Sequence, residues 1–211
     1  TLNSLRKMAP KIADAIALLV PQGRLETVAY ACTSGSVVIG YEVISDHISS
    51  VRPEAICVTP ISASLAALDA FGARKLAVLT PYVDEVNAMI AEYLQTDGKQ
   101  LCAFSSFHIE DNEDMAAVTG DAIFNAALKA DRPEADALFI SCTAIRAVDA
   151  IDPIERILGK PVITANQAVF WQALRSAGCY AKVEGFGTLL RQLQSRNMEE
   201  CYELRRDNIR S

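Results

Sequence analysis

Val28-Ala29-Tyr30-Ala31-Cys32-Thr33-Ser34-Gly35 and Leu138-Phe139-Ile140-Ser141-Cys142-Thr143-Ala144 carry one pattern twice, with the cysteines 110 positions apart. Each is an apolar run that ends in Cys-Thr and a small residue. Each reads as a buried strand that delivers a thiol to its C-terminal tip, where a helix begins. In open parallel α/β sheets that tip is where ligands bind. The positive end of a helix dipole favours a thiolate there, so at least one of the two thiols is expected to be acidified.

Around these runs, strand-like and helix-like segments alternate. Leu5, Met8, Ile12, Ile16 and Leu19 fall at helical spacing and predict an amphipathic helix over about 3–20, with Pro10 as a kink or a first turn. A strand over 25–31 and a helix from Ser34 or Gly35 to about His47 follow. Ala55-Ile56-Cys57-Val58 reads as a short buried strand, Pro60 opens a helix that Gly72 ends, and Lys75–Leu79 is a further strand before a helix from Pro81 to about Leu94. The second half predicts strands over 100–105, 136–141 and 160–163, and helices over 111–130, 147–158 and 165–177. Such alternation implies βαβ units, parallel sheets and helices on both faces. The duplicated Cys-Thr tips suggest two similar lobes. The first comprises residues 1–79 and 165–211, the second residues 80–164. The chain opens on a helix where a lobe of this kind starts with a strand, so the first strand of lobe one is expected to be missing from this chain.

Composition narrows the function. The 211 residues carry a net charge of −6, are 51% hydrophobic and 22% charged, and contain no basic stripe. A nucleic-acid partner leaves a basic footprint, which is lacking, and an anionic substrate needs local rather than global attraction. No apolar run approaches a membrane span, and no signal peptide opens the sequence. Cys32, Cys57, Cys102, Cys142, Cys179 and Cys201 form no CxxC pair, so a reducing cytoplasm is expected. His47 and His108, the only histidines, are far apart, and neither a metal nor a cofactor is expected.

The chemistry follows from the two thiols. A carbon acid beside a carboxylate loses a proton to a base on one face and regains it from an acid on the other, and two opposed thiols can supply both groups. Alternatively, one thiolate adds to an activated double bond, and rotation followed by elimination gives cis–trans isomerisation. Backbone N–H groups after Cys32 and Cys142, with the Thr33, Ser34, Ser36 and Thr143 hydroxyls, are candidate carboxylate donors, although such residues also serve as helix caps. Gly185-Phe186-Gly187 lacks the third glycine of a dinucleotide fingerprint. Residues 196–211 read as a charged, solvated helix or tail, and Leu189, Leu190 and Leu193 as its anchor on the first lobe or on another subunit.

Ala29–Gly40 resembles the first cysteine motif of the aspartate/glutamate racemase superfamily, in the branch of maleate cis–trans isomerase, arylmalonate decarboxylase and the ectoine-utilisation protein. Thr59–Ala63, Leu79–Asn87, Ile140–Ala144 and Lys160–Ala168 resemble that branch as well, and the resemblance covers residues 1 to about 193. It implies two pseudo-symmetric Rossmann-like lobes with the site between them. It also implies cofactor-independent chemistry with Cys32 and Cys142 as the acid/base or nucleophile pair. Tyr82, in the Thr-Pro-Tyr motif, and Asn112 match substrate-contacting positions of maleate isomerases. Cys-Thr-Ser-Gly-Ser is closest to the ectoine-utilisation proteins. The leading expectation is an isomerase or racemase of a small carboxylate, either an amino-acid derivative or a dicarboxylate, possessing a role in ectoine catabolism and forming a homo-oligomer. The alternatives are a maleate-type isomerase acting by covalent thiol addition, an arylmalonate-type decarboxylase, and, from another class, a non-catalytic protein that binds small acids. Cys32 and Cys142 are the expected catalytic residues, with Thr33, Ser34, Tyr82, Asn112 and Thr143 binding substrate.

Overall fold

The computed structural model describes residues 2–191. Leu193, Cys201 and the charged tail fall outside that span. The expected first helix is three pieces: α1 (Leu2–Arg6), a 3₁₀ turn over Ala9–Lys11, and α2 (Ile12–Ala17). Pro10 sits in the 3₁₀ turn, because a proline inside a helix removes a hydrogen bond and collides with the preceding turn. Strand β1 (Thr27–Ala29) leads into α3 (Thr33–Ile39) and α4 (Tyr41–Val51). These two helices stand where one is expected. Gly40 divides them at φ 91°, ψ 145°, a backbone conformation that glycine takes without strain.

Strand β2 (Ile56–Val58) is followed by α5 (Pro60–Ala70), whose start carries Pro60 and a reciprocal cap between Thr59 and Ser62. Then come β3 (Lys75–Thr80), α6 (Asp84–Thr96) and β4 (Gln100–Ser106). The expected helix over 111–130 is two, α7 (Asn112–Ala117) and α8 (Gly120–Ala130). Between them Val118 and Thr119 are extended, and the Thr119 side chain accepts from Ala122 N–H to start the second helix afresh. Strand β5 (Ala137–Ile140), a 3₁₀ turn at Val148–Ala150, α9 (Ile151–Leu158), β6 (Val162–Thr164), α10 (Ala165–Ser176) and α11 (Thr188–Arg191) complete the described chain.

All strand pairs are parallel. β1 and β2 form one sheet, with Val28 opposite Cys57, and the other sheet runs β4-β3-β5-β6. The fold is therefore α/β with two lobes. The division anticipated at residue 79 does not coincide with the division between sheets. Lys75–Thr80 is an interior strand of the four-stranded sheet, because its apolar run is buried on both faces and pairs on both edges.

Each sheet has its own core. The larger core gathers Val78, Leu79, Phe139, Ile140, Val162 and Ile163, all 1% exposed or less. The smaller one joins Ile12, Ile16, Val28, Ile44, Ile48 and Cys57. Burying each of Ile44 and Ile48 contributes on the order of 1.5–3 kcal/mol relative to exposure. Helix α10 leaves the larger sheet and packs on α5, β1 and β2, so it ties the lobes together. The Gly-x-Gly stretch has a structural explanation. Gly187, at φ 84°, donates its N–H to Asp152 where a Cβ would lie 2.5 Å from Ile151, and Asp152 and Glu155 then clasp Arg191. No helix among the described residues is long and apolar enough to cross a membrane.

Candidate active site

Both cysteines stand at C-terminal strand tips, and the two tips touch. The Thr143 hydroxyl donates to the Ala31 carbonyl at 2.9 Å, which links the residue after one thiol to the residue before the other. Their local structures differ. Tyr30 N–H extends the β1–β2 ladder to Val58, and Cys32 then caps α3, its sulfur accepting Gly35 N–H at 3.3 Å. Ser34 Oγ lies 3.9 Å from that sulfur. The Tyr30 hydroxyl reaches the same thiol, and burial foremost, then Cys32, pushes the phenol up to about 12. Cys32 itself remains partly exposed.

Cys142 departs from the expected arrangement, since no helix starts behind it. Residues 143–147 form a loop before the 3₁₀ turn at Val148. Cys142 has φ 96°, a strained value for a residue with a side chain, and such strain gathers at functional sites. Its sulfur accepts Ala144 N–H at 3.3 Å, with Ile145 N–H a further donor. The thiol is 7% exposed, and burial pushes it above the ordinary cysteine range against the opposing pull of Tyr82 and the two amides. The expected acidification therefore does not occur at Cys142. Desolvation outweighs its donors, and the loop supplies no helix end.

Tyr82 occupies the space between the tips. It is 4% exposed, donates toward Cys142 and is flanked by Ser141 and Thr33. Burial first, and Cys142 second, hold its hydroxyl protonated well above the usual tyrosine range. The Thr33 and Ser141 hydroxyls beside it are buried and make no geometrically sound hydrogen bond. Both hydroxyls face the Tyr82 phenol, and their proximity pulls against its raised proton affinity.

Three residues that sequence reasoning did not single out as functional hold this arrangement. Asn87 Nδ2 donates to the Tyr82 carbonyl at 2.7 Å, and Asn87 Oδ1 accepts from Thr80 at 2.5 Å. Ser106 donates to the same carbonyl at 2.6 Å, which closes a polar net under the Thr80-Pro81-Tyr82 turn. Asn166, in the first turn of α10, donates to the Thr143 carbonyl at 3.0 Å and pins the Cys142 loop. Asn87 and Asn166 lie within the quoted motifs. Their signal was polarity beside apolar strand ends.

The other expected binding residues divide. Thr33, Ser34 and Thr143 cluster with the thiols. Asn112 does not. It is exposed at the start of α7, and Asp111 takes the capping role by accepting Glu113 N–H. The loop before it is bonded to the Thr80-Pro81-Tyr82 turn through Ile109 N–H and Pro81 O. Among the described residues no group of three His, Cys, Asp or Glu side chains could hold a metal ion.

A family model described as arylmalonate decarboxylase matches residues 4–190. Arylmalonate decarboxylase of Bordetella bronchiseptica is 35% identical over 136 residues, a match that spans 63% of this chain and only 57% of that enzyme. Maleate isomerase of Nocardia farcinica is 27% identical over 175 residues, covering 79% of this chain and 70% of the relative. A solved structure of the Nocardia farcinica enzyme, a cysteine-to-serine mutant with a covalently bound succinylcysteine intermediate, has the same fold. Its TM-score is 0.85 at 24% identity, over 91% of this chain and 81% of that one.

Proposed function

This chain belongs to the arylmalonate decarboxylase family, and from that premise we propose that it is a two-cysteine isomerase of a small unsaturated dicarboxylate, with Cys32 as nucleophile and Cys142 as acid. The observation that carries the reading is the unequal pair of thiols at touching tips. Cys32 is accessible, while Cys142 is buried and biased toward its neutral form.

The steps balance without a cofactor. The Cys32 thiolate forms a C–S bond to one alkene carbon, and the π electrons move to the neighbouring carbon, which its carboxylate stabilises. Cys142 S–H gives that carbon its proton. What remains is a thioether on a saturated C–C bond that can rotate. The Cys142 thiolate, steadied by Tyr82, takes the proton back, the C–S bond breaks, and the trans acid leaves with the Cys32 thiolate and the Cys142 thiol restored. Thr33, Ser34 and the Tyr82 hydroxyl supply donors for the substrate oxygens, Thr143 holds the tips together, and Asn112, exposed at the start of α7, is a further substrate contact. The succinylcysteine of the Nocardia farcinica structure is the intermediate this sequence of steps requires.

The sequence led to an isomerase or racemase with maleate-type thiol addition as an alternative, and the relatives' names favour that alternative. Decarboxylation stands second. It is supported by the 35% identity to a decarboxylase and by Cys142, a neutral thiol suited to protonating a carbanion. Proton NMR with maleate, an arylmalonate and both enantiomers of small amino acids, run in heavy water, separates the three. Conversion of maleate to its trans isomer, lost on Cys32→Ser and on Cys142→Ser, is the expected result. Full-rate conversion by either variant overturns the two-cysteine reading.

A further inference from the structure

We propose that Tyr30 is a positioning residue for Cys32, and that Gly35 is glycine because the phenol and the sulfur share the space its side chain would fill. This rests on the reading of Cys32 as nucleophile. A Cβ built on Gly35 would lie 2.6 Å from the Tyr30 hydroxyl and 2.9 Å from Cys32 Sγ. Such separations do not occur between real atoms, so any side chain there must displace the phenol, the sulfur or both. The backbone gives no other reason for glycine. Gly35 is buried inside α3 and is not among the glycines at positive φ. Helix propensity would favour alanine at that position.

The phenol also has a second sulfur within reach, Met8 Sδ at 3.9 Å. A hydroxyl has one hydrogen, so Tyr30 chooses between a weak thioether acceptor and Cys32. Thiolate formation decides the choice, because a charged acceptor makes the stronger bond. Tyr30 can answer at any working pH, since its own proton is held up to about 12, by burial above all. Among the described residues, the titratable group that faces Tyr30 is Cys32, and Cys142 faces the same thiol. Lys11 lines the same apolar groove as Tyr30. The arrangement matches that of Tyr82 on Cys142, so each thiol has a phenol of its own.

The test is site-resolved alkylation by iodoacetamide, read by mass spectrometry between neutral and alkaline pH, on the intact protein. Tyr30→Phe keeps the ring and removes the hydroxyl. Its Cys32 should react about tenfold more slowly near neutral pH, and the deficit should close as pH rises, because a charge-assisted bond favours the thiolate alone. Cys142 should be unaffected. Gly35→Ala should show the same Cys32 deficit with Cys142 labelling as in the wild type, which a merely structural role would not produce. Wild-type alkylation profiles in Tyr30→Phe would overturn the proposal, even if Cys32→Ser abolishes turnover. The converse result, a slowed Cys32 in Tyr30→Phe with full turnover by Cys32→Ser, would sink the nucleophile reading and leave the phenol contact standing.

Discussion

The Cys32 and Cys142 tips begin from nearly the same sequence and end as different chemical environments. At Cys32 the chain turns into a helix, and the thiol caps it in partial contact with solvent. At Cys142 the chain enters a loop at positive φ, and the thiol is buried under Tyr82. One arrangement leaves a thiol accessible and the other favours the protonated form. A repeated motif therefore fixes where two groups sit but not what each does. Desolvation decides that, and desolvation depends on what packs above the tip.

Serine replacement breaks the comparison most severely. Cys32→Ser and Cys142→Ser should each lower isomerase turnover on the order of 10³-fold or more. The two should fail differently. With maleate, Cys142→Ser should slowly accumulate an adduct on Cys32, visible by intact-mass spectrometry, because solvent water can protonate the carbanion while the un-ionised hydroxyl cannot take the proton back. Cys32→Ser should form no adduct. Equal adduct formation in both would erase the assigned roles.

Tyr82→Phe comes next. Removing the donor from Cys142 should lower turnover roughly 10²-fold. It should also push the Cys142 thiol further above its ordinary range, since the phenol pulls the other way. Alkylation of Cys142 in this variant should then need more alkaline conditions than in the wild type.

Labelling order sharpens the contrast without mutation. Near pH 8, Cys32 should be alkylated before Cys142. The neutral form of Cys142 is favoured by burial, so its reaction should rise only above the ordinary cysteine range. Cys57, which burial and then Glu42 push up to about 11, should react last. Cys142 labelling first would reverse the assignment.

The smallest effects belong to the supports. Thr143→Ala removes the hydrogen bond between the tips and should cost about 1 kcal/mol of stability, read by denaturant unfolding, with a several-fold loss of turnover. Asn112→Ala, if the exposed start of α7 contacts substrate, should raise KM for maleate and leave kcat nearly unchanged, the signature of lost uniform binding.

Much of this was legible before the structure. The runs around Val28, Val78, Phe139 and Ile163 announced buried parallel strands, and all are buried. Pro60 announced a helix start and residue 165 another, and both helices begin there, capped by Thr59 and Thr164. These signals are local, a few residues reporting on their own backbone. Breaks inside long helical patterns were harder to see. Gly40 and Val118-Thr119 interrupt helices because glycine and a capping threonine offer alternatives to the ladder, which apolar periodicity does not register.

By itself, the sequence determined the α/β class, the strand tips that carry Cys32 and Cys142, and the membership of Tyr82, Thr33 and Thr143 in one motif set. Only the tertiary structure decided that Lys75–Thr80 joins the four-stranded sheet, that Asn112 stays exposed, and that Tyr30 shares a pocket of space with Cys32 across Gly35. The physical reason is range. Period and capping are written within a turn or a strand, whereas sheet order, desolvation and the meeting of a phenol with a thiol depend on how the elements pack.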